Sequence, residues 1–319
     1  MSPTLFLLLG LVLLFVGGEL LVKGSVALAL KLKISTLVVG MTIVSFATSS
    51  PELFVSLQAV LDGSSNIAFG NVIGSNIANV TLVLGITAMI FRVQISKRIL
   101  TLYYPMMLLA SIVFGGILYF FNGIPVGAGF LFVVLLLLFA WLLILTSRKD
   151  YLKAEIEGGE LLKKVSHNPL FKNILFLIFG VLLLKFGADF LIDSTKLIAK
   201  SLGVSDRVIA VTIVAIGTSI PELSTSIIAA LRKEDNLAIG NLIGSNIFNI
   251  LAVLGITASI KEINIVDEAI LSFDYLWMII IILIVGLLIY IFSKNQISRK
   301  EGVLLLIIYI TYLLSLFNK

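Results

Sequence analysis

Residues 42–52 read Thr-Ile-Val-Ser-Phe-Ala-Thr-Ser-Ser-Pro-Glu, and residues 212–222 read Thr-Ile-Val-Ala-Ile-Gly-Thr-Ser-Ile-Pro-Glu. Further along, Gly70-Asn71-Val72-Ile73-Gly74-Ser75-Asn76-Ile77-Ala78-Asn79 is matched by Gly240-Asn241-Leu242-Ile243-Gly244-Ser245-Asn246-Ile247-Phe248-Asn249. Every matched position lies 170 residues from its partner, with no gap. Both copies set a glutamate inside apolar sequence, where an ionisable group is costly and marks an ion or substrate path. Its duplication points to one site shared between two halves of a transporter.

The composition agrees. Of 319 residues, 59% are hydrophobic and only 13% charged, and the mean hydropathy is +1.15. Soluble domains carry about a quarter charged residues, so this chain has too few to cover a soluble surface. It contains many apolar runs of about 20 residues, the length that crosses a bilayer core. The period-2 alternation of a membrane barrel is absent. The expectation is an all-α integral membrane protein. The net charge of +5 is therefore no nucleic-acid signal. There is no cysteine and a single histidine, His167, so thiolate and histidine-cluster metal sites are excluded. Met1 leads straight into an apolar run without a basic stretch or a small-residue cleavage site, which reads as a retained first span.

Hydropathy and breaker residues give about ten spans, near 3–30, 36–61, 66–90, 99–121 and 124–147, then 170–200, 207–231, 237–259, 269–292 and 302–317. The chain thus divides into a first five-helix repeat (1–147), a polar linker (148–169) and a second repeat (170–319). The match extends beyond the motifs: Gly10 with Gly180, Gly17 with Gly187, Glu19 with Asp189 and Ser35 with Ser205. Five is odd, so the second copy enters the membrane from the opposite side. Sixteen lysines and arginines fall in loops after odd-numbered spans, against four after even-numbered ones. The positive-inside bias then places the linker in the cytoplasm and both termini outside, in the cell membrane.

Chemistry follows from the motif. Proline lacks an amide proton and its ring clashes with the preceding turn, so Pro51 and Pro221 are expected to break their helices near the midplane. Carbonyls freed there are tolerated only where they line a cavity or bind an ion. Thr48, Ser49, Thr218 and Ser219 add hydroxyls, and Glu52 and Glu222 add charge. Ser75 and Asn79 lie four residues apart and share a helix face, as do Ser245 and Asn249. An all-oxygen set suits hard cations such as Ca2+ and Na+. Two carboxylates also balance one divalent ion, and without it they repel each other. One Pro-Glu pair alone reads nearly as well as a simple kink; two, each with hydroxyls attached, do not. The Gly-Ser-Asn pattern alone reads more readily as helix packing. Glu19 with Lys23, and Lys185 with Asp189, are spaced for pairs on one helix face.

At these residues the sequence resembles the calcium/cation antiporter superfamily, specifically its prokaryotic sodium/calcium exchanger branch. Ala47-Thr48-Ser49-Ser50-Pro51-Glu52, Gly217-Thr218-Ser219-Ile220-Pro221-Glu222 and the two Gly-Asn…Gly-Ser-Asn segments look like its two alpha-repeats. The resemblance implies ten helices in two inverted repeats, with a core of spans two, three, seven and eight and sliding spans one and six. It implies exchange of several Na+ for one Ca2+, with no cofactor and no enzymatic activity; the bilayer and the ions are the implied partners, and protein partners are not indicated. It also implies ligand roles. Glu52 and Glu222 are central, with the carbonyls of Thr48 and Thr218 around Ca2+. Ser49 and Ser75 with the Ser45 carbonyl form one Na+ site; Ser219 and Ser245 with the Ala215 carbonyl form its counterpart. Asn79 and Asn249 lie between them. Three departures stand out: Asn249 where members often carry an acid, Ala47 opposite Gly217, and a hydroxyl at Ser45.

Two rivals remain. A Ca2+/H+ antiporter would use the same fold and carboxylates, with protons replacing Na+. A passive channel would need a filter built around an axis, which an inverted repeat within one chain disfavours. A membrane-embedded hydrolase using two acids would need a nucleophile or a metal-activated water, and the Glu-Pro context, without histidine or cysteine at the motifs, disfavours it.

Overall fold

The computed structural model describes residues 3–156, 169–202, 217–265, 267–292 and 296–317. Ala215, His167 and most of the expected linker lie outside these residues. The first nine residues of that linker, 148–156, continue the preceding helix.

Each half begins with a helix longer than a bilayer core. α1 (Pro3–Leu32) has 30 residues and α7 (Leu170–Ser201) has 32. At 1.5 Å per residue each is about 45 Å long against a hydrocarbon core of about 30 Å, so each must tilt or protrude. The two pack side by side at very close range: a Cβ at Gly17 would lie 2.9 Å from the Gly180 carbonyl oxygen. Small residues let backbones meet where apolar burial gives helices no drive to associate. Outward-facing Leu8, Val12, Phe15, Phe171 and Phe179 are exposed, as lipid-facing side chains should be.

Between them in sequence come α2 (Thr36–Thr48) and α3 (Ser50–Leu61), one span bent by 44°. Ser35 caps α2 through its hydroxyl, which accepts from the Val38 amide at 3.3 Å and satisfies one otherwise open donor. Next are α4 (Ser65–Ile90), α5 (Ile99–Phe121) and α6 (Val126–Ile156). The second half supplies α8 (Ile220–Leu231), α9 (Asp235–Ile260), α10 (Ile270–Ile291) and α11 (Arg299–Phe317). Among the described residues seven helices are long and apolar enough to cross a membrane, and the α2–α3 pair makes an eighth. The molecule is an all-helical integral membrane protein.

Burial sorts these helices. α9 is buried throughout its apolar stretch and α4 through most of it, whereas α1, α6, α7 and α10 expose much of theirs. The polar motif helices α4 and α9 therefore form the centre, and the more exposed α1, α6, α7 and α10 the rim. α2 crosses α9 at two glycines: a Cβ at Gly40 would lie 2.7 Å from the Leu237 carbonyl oxygen, and one at Gly240 2.5 Å from the Leu37 carbonyl oxygen. Two short antiparallel ribbons join the halves, β1 (Val93–Gln94) with β4 (Gln296–Ile297) and β2 (Gly123–Ile124) with β3 (Ile263–Asn264).

Surface pairs are mixed. Lys185 and Asp189 meet at 2.8 Å as their spacing predicts. Glu19 does not take Lys23; it accepts two bonds from Arg232 at the end of α8, one from Nε at 3.0 Å and one from Nη2. A forked guanidinium matches a carboxylate better than an ammonium does, and Lys23 lies instead 5.3 Å over the Phe176 ring.

Candidate cation site

Pro51 and Pro221 stand in the first turn of α3 and α8. The residue that opens each of these helices has left helical geometry in the same way: Ser49 has φ −87° and ψ 5°, Ser219 has φ −89° and ψ 4°. Pro51 cannot donate to the Ala47 carbonyl four residues back. The Ser50 hydroxyl donates to that oxygen instead, at 2.8 Å; Ile220 stands at the matching place in the second copy. The break puts Glu52 and Glu222 in the first turn of a new helix, where the dipole favours negative charge. Both are fully buried.

The two breaks face one another. Ser49 Oγ donates to Glu222 Oε1 at 3.2 Å. Glu222 also has Thr48 and Ser245 beside it, while Glu52 lies beside Thr218 and within range of the Glu222 charge. Thr48 Oγ1 lies 3.5 Å from Ser245 Oγ. The pair related to it by the 170-residue offset, Thr218 and Ser75, lies at 3.4 Å. Ser49, Ser75, Ser219, Ser245, Asn79 and Asn249 are buried beside them, and Thr218 is half-buried.

The local helix geometry contributes. A π-helical turn begins at Asn79 (Asn79–Val83) and another at Asn249 (Asn249–Leu254). Such turns re-aim side chains and recur at functional sites. Asn249 Nδ2 donates to Asn76 Oδ1 at 3.1 Å, and Asn76 Nδ2 donates to the Asn246 carbonyl at 3.3 Å. This amide network holds α4 and α9 together.

Twelve buried side-chain oxygens have no hydrogen-bond partner among the described residues, and six of them belong to the expected ligand residues. The six are both oxygens of Glu52, Oε2 of Glu222, Oδ1 of Asn79, Oδ1 of Asn249 and Oγ of Ser219. Buried polar atoms are nearly always paired, and an unpaired one costs about 1–3 kcal/mol, more if charged. Among the described residues no lysine or arginine forms an ion pair with either glutamate. Nor is there a third acidic side chain, histidine or cysteine converging on them. The expected ligand atoms are oxygens, the donor a hard cation prefers, and Ca2+ takes about six to eight of them; the amide nitrogens of Asn79 and Asn241 are also buried without a partner among the described residues. A cavity of about 40 Å³ adjoins the site, between Thr48, Pro51, Pro221 and Leu184 of α7.

The Ser45 side chain, as distinct from its carbonyl, links two helices. Its hydroxyl lies 2.7 Å from the Gly40 carbonyl oxygen and 3.0 Å from that of Asn241, so it ties α2 to α9. Two residues the sequence reading passed over also touch the site. Asn241 Oδ1 accepts from Thr48 Oγ1 at 3.2 Å, and Asn71 Nδ2 donates to the Glu52 carbonyl at 3.2 Å. Their signal was present, since both lie inside the repeated motif, but it was masked by the glycines beside them.

Two buried carboxylates flanked by hydroxyls, set where helices of a membrane bundle break, suit the passage of a hard cation, and the chain's relatives place it among membrane cation antiporters. The chain belongs to the sodium/calcium exchanger protein family, whose profile matches residues 2–145 and 172–318. A putative antiporter, CaxA, of Alkalimonas amylolytica is 34% identical over 320 residues, covering 99% of this chain and 98% of that protein. The sodium/calcium exchanger MaX1 of Methanosarcina acetivorans is 32% identical over 348 residues, covering 98% of both. A structure of the sodium-calcium exchanger NCX_Mj, soaked with Na+ and Ca2+, superposes with a TM-score of 0.79 at 31% identity, covering 99% of each chain.

Proposed function

We propose that this protein exchanges Na+ for Ca2+ by alternating access around one central site, built from α2–α3 and α4 of one half and α8 and α9 of the other. The observation that carries the reading is the pair of buried carboxylates, Glu52 and Glu222, whose three unpaired oxygens lie amid the hydroxyls of Thr48, Ser49, Thr218 and Ser245. The names of the relatives, and the ions in the NCX_Mj soak, support Na+ and Ca2+ as the cargo. Glu52 and Glu222 are the charged ligands. Thr48, Thr218, Ser49, Ser219, Ser75, Ser245, Asn79 and Asn249 complete the shell, with carbonyls at Ser45 and Ala215. Ten spans in two inverted five-helix repeats, 1–147 and 170–319, fit the 170-residue offset and the paired breaks. Cytoplasmic placement of residues 148–169, with both termini outside the cell membrane, follows from the basic residues.

The exchange rule follows from electrostatics. A site filled by Ca2+ or by Na+ ions has its carboxylate charge compensated and can pass the low-dielectric barrier. An empty, doubly charged site faces a desolvation penalty of several kcal/mol per ion, which suppresses leak. The test is Ca2+ uptake into proteoliposomes under an imposed Na+ gradient or an imposed pH gradient. Uptake driven by outward Na+ alone is expected. Uptake that follows only the pH gradient would make the protein a Ca2+/H+ antiporter, and non-saturable flux without counterflow would make it a channel.

A further inference from the structure

The two asparagines of the Gly-Asn pairs occupy equivalent places in the repeats but make different bonds. Asn71 Nδ2 donates to Ser56 Oγ at 2.9 Å and to the Glu52 carbonyl at 3.2 Å, both within its own repeat. Asn241 reaches across: its Oδ1 accepts from Thr48 Oγ1 at 3.2 Å. Among the described residues its Nδ2 is buried without a partner, and so is the hydroxyl of Ser226, the residue equivalent to Ser56. The bond that Asn71 makes to Ser56 is thus open at both ends in the second repeat. All four of Asn241, Ser56, Ser226 and Thr48 are buried, so water does not freely replace these partners.

We propose that Asn71 and Asn241 are paired positioning residues that switch between an own-repeat and a cross-repeat bonding pose as the transporter changes state. This rests on the exchanger reading above. In transporters built from inverted repeats, one half moves against the other around a fixed site, so exchanging the roles of the repeats generates the opposite state. In the state seen here, Asn241 grips Thr48 of the first broken helix while Asn71 holds the backbone of Glu52. In the exchanged state, Asn71 grips Thr218 and Asn241 holds the backbone of Glu222 together with Ser226. Each amide therefore senses whether the broken helix of the other repeat is docked, and holds a ligand-bearing segment in either pose. An amide suits this role because it both donates and accepts. An aspartate at the same place would lack the donor and add a third charge.

The symmetry makes the test sharp. Ser56→Ala removes a bond present in this state, and Ser226→Ala one present only in the exchanged state. The two variants should move the ratio of apparent Ca2+ KM values at the two faces of oriented proteoliposomes in opposite directions. A single net hydrogen bond corresponds to a change of about two- to tenfold. Asn71→Ala and Asn241→Ala should also move the ratio oppositely, and the double variant should return to within about twofold of the wild type, because each loss is cancelled by its equivalent. The serine variants remove one oxygen each and guard against misfolding of the asparagine variants. The switch is overturned if both members of either pair move the ratio the same way, or if the ratio stays fixed while only the maximal rate falls. Absence of cation-driven Ca2+ exchange by the wild type would overturn the exchanger reading, and the switch with it. Normal wild-type exchange with unmoved ratios would sink the switch alone.

Discussion

Ser49 of the first broken helix hydrogen-bonds the Glu222 carboxylate of the second, with 3.2 Å between Oγ and Oε1. The equivalent pair, Ser219 and Glu52, makes no such bond: Ser219 Oγ and both Glu52 oxygens are unpaired. Glu222 thus has one oxygen oriented by a serine and one unpaired, whereas both oxygens of Glu52 are unpaired among the described residues. Ser49→Ala should weaken apparent Ca2+ affinity by about tenfold or more, because it removes both a shell oxygen and the partner that orients Glu222, and Ser219→Ala should weaken it less, through loss of a shell oxygen alone. Isothermal titration of the purified variants checks both.

Glu52→Gln and Glu222→Gln each remove one of the two charges that balance a divalent cation. Both variants should lose Na+-driven Ca2+ uptake to the background of empty liposomes while keeping the wild-type elution profile in detergent. Full transport by either would remove that glutamate from the site.

Asn249 donates to Asn76 Oδ1 through its amide at 3.1 Å. Asn249→Asp replaces the donor by an oxygen, sets two acceptors against each other and adds charge to a buried site. The ion-free protein should lose about 1–3 kcal/mol. Saturating Ca2+ should restore most of it, because a ligand that binds only the folded state stabilises it by mass action. Thermal melts with and without Ca2+ give the two values.

Gly240→Ala would place a methyl group 2.5 Å from the Leu37 carbonyl oxygen at the α2–α9 crossing. Backbone cannot yield as a side chain does, so overpacking of about 1–3 kcal/mol is expected. Because the crossing carries Ser45 and Thr48 toward Asn241, transport should fall together with stability. A fully stable Gly240→Ala protein would show that α2 and α9 are less closely seated than described.

Lys233 closes α8 in the left-handed region, at φ 59°, where the equivalent Gly63 closes α3 at φ 82°. A side chain there costs about 1–2 kcal/mol that glycine avoids. Lys233→Gly should raise stability by about 1 kcal/mol without altering transport, and Gly63→Lys should lower it by a similar amount. Melting temperatures of the pair decide the matter.

Much of the site was legible before any coordinates. The repeat fixed which residues correspond, the prolines marked both breaks, and the residue types excluded soft metals. Lys185–Asp189 formed because its partners sit one helical turn apart. Glu19 illustrates the limit: its local candidate, Lys23, lost to Arg232, which lies 213 residues away in sequence. The Ser45 hydroxyl, a departure to which the repeat gives no role, fastens two helices. No local pattern reports such partners, because they depend on how helices cross.

The chain alone determined the class of solvent around it, the duplicated unit, the break points and the hard-oxygen chemistry. Each of these follows from residue type and spacing, through backbone rules that act over a few residues. Only the tertiary structure decided which of two equivalent atoms is bonded and which is left open. Identical motifs in Asn71 and Asn241, or in Ser49 and Ser219, end in different surroundings because the two halves pack against each other unequally. That inequality is a property of the assembled helices in one state, and no repeat of letters contains it.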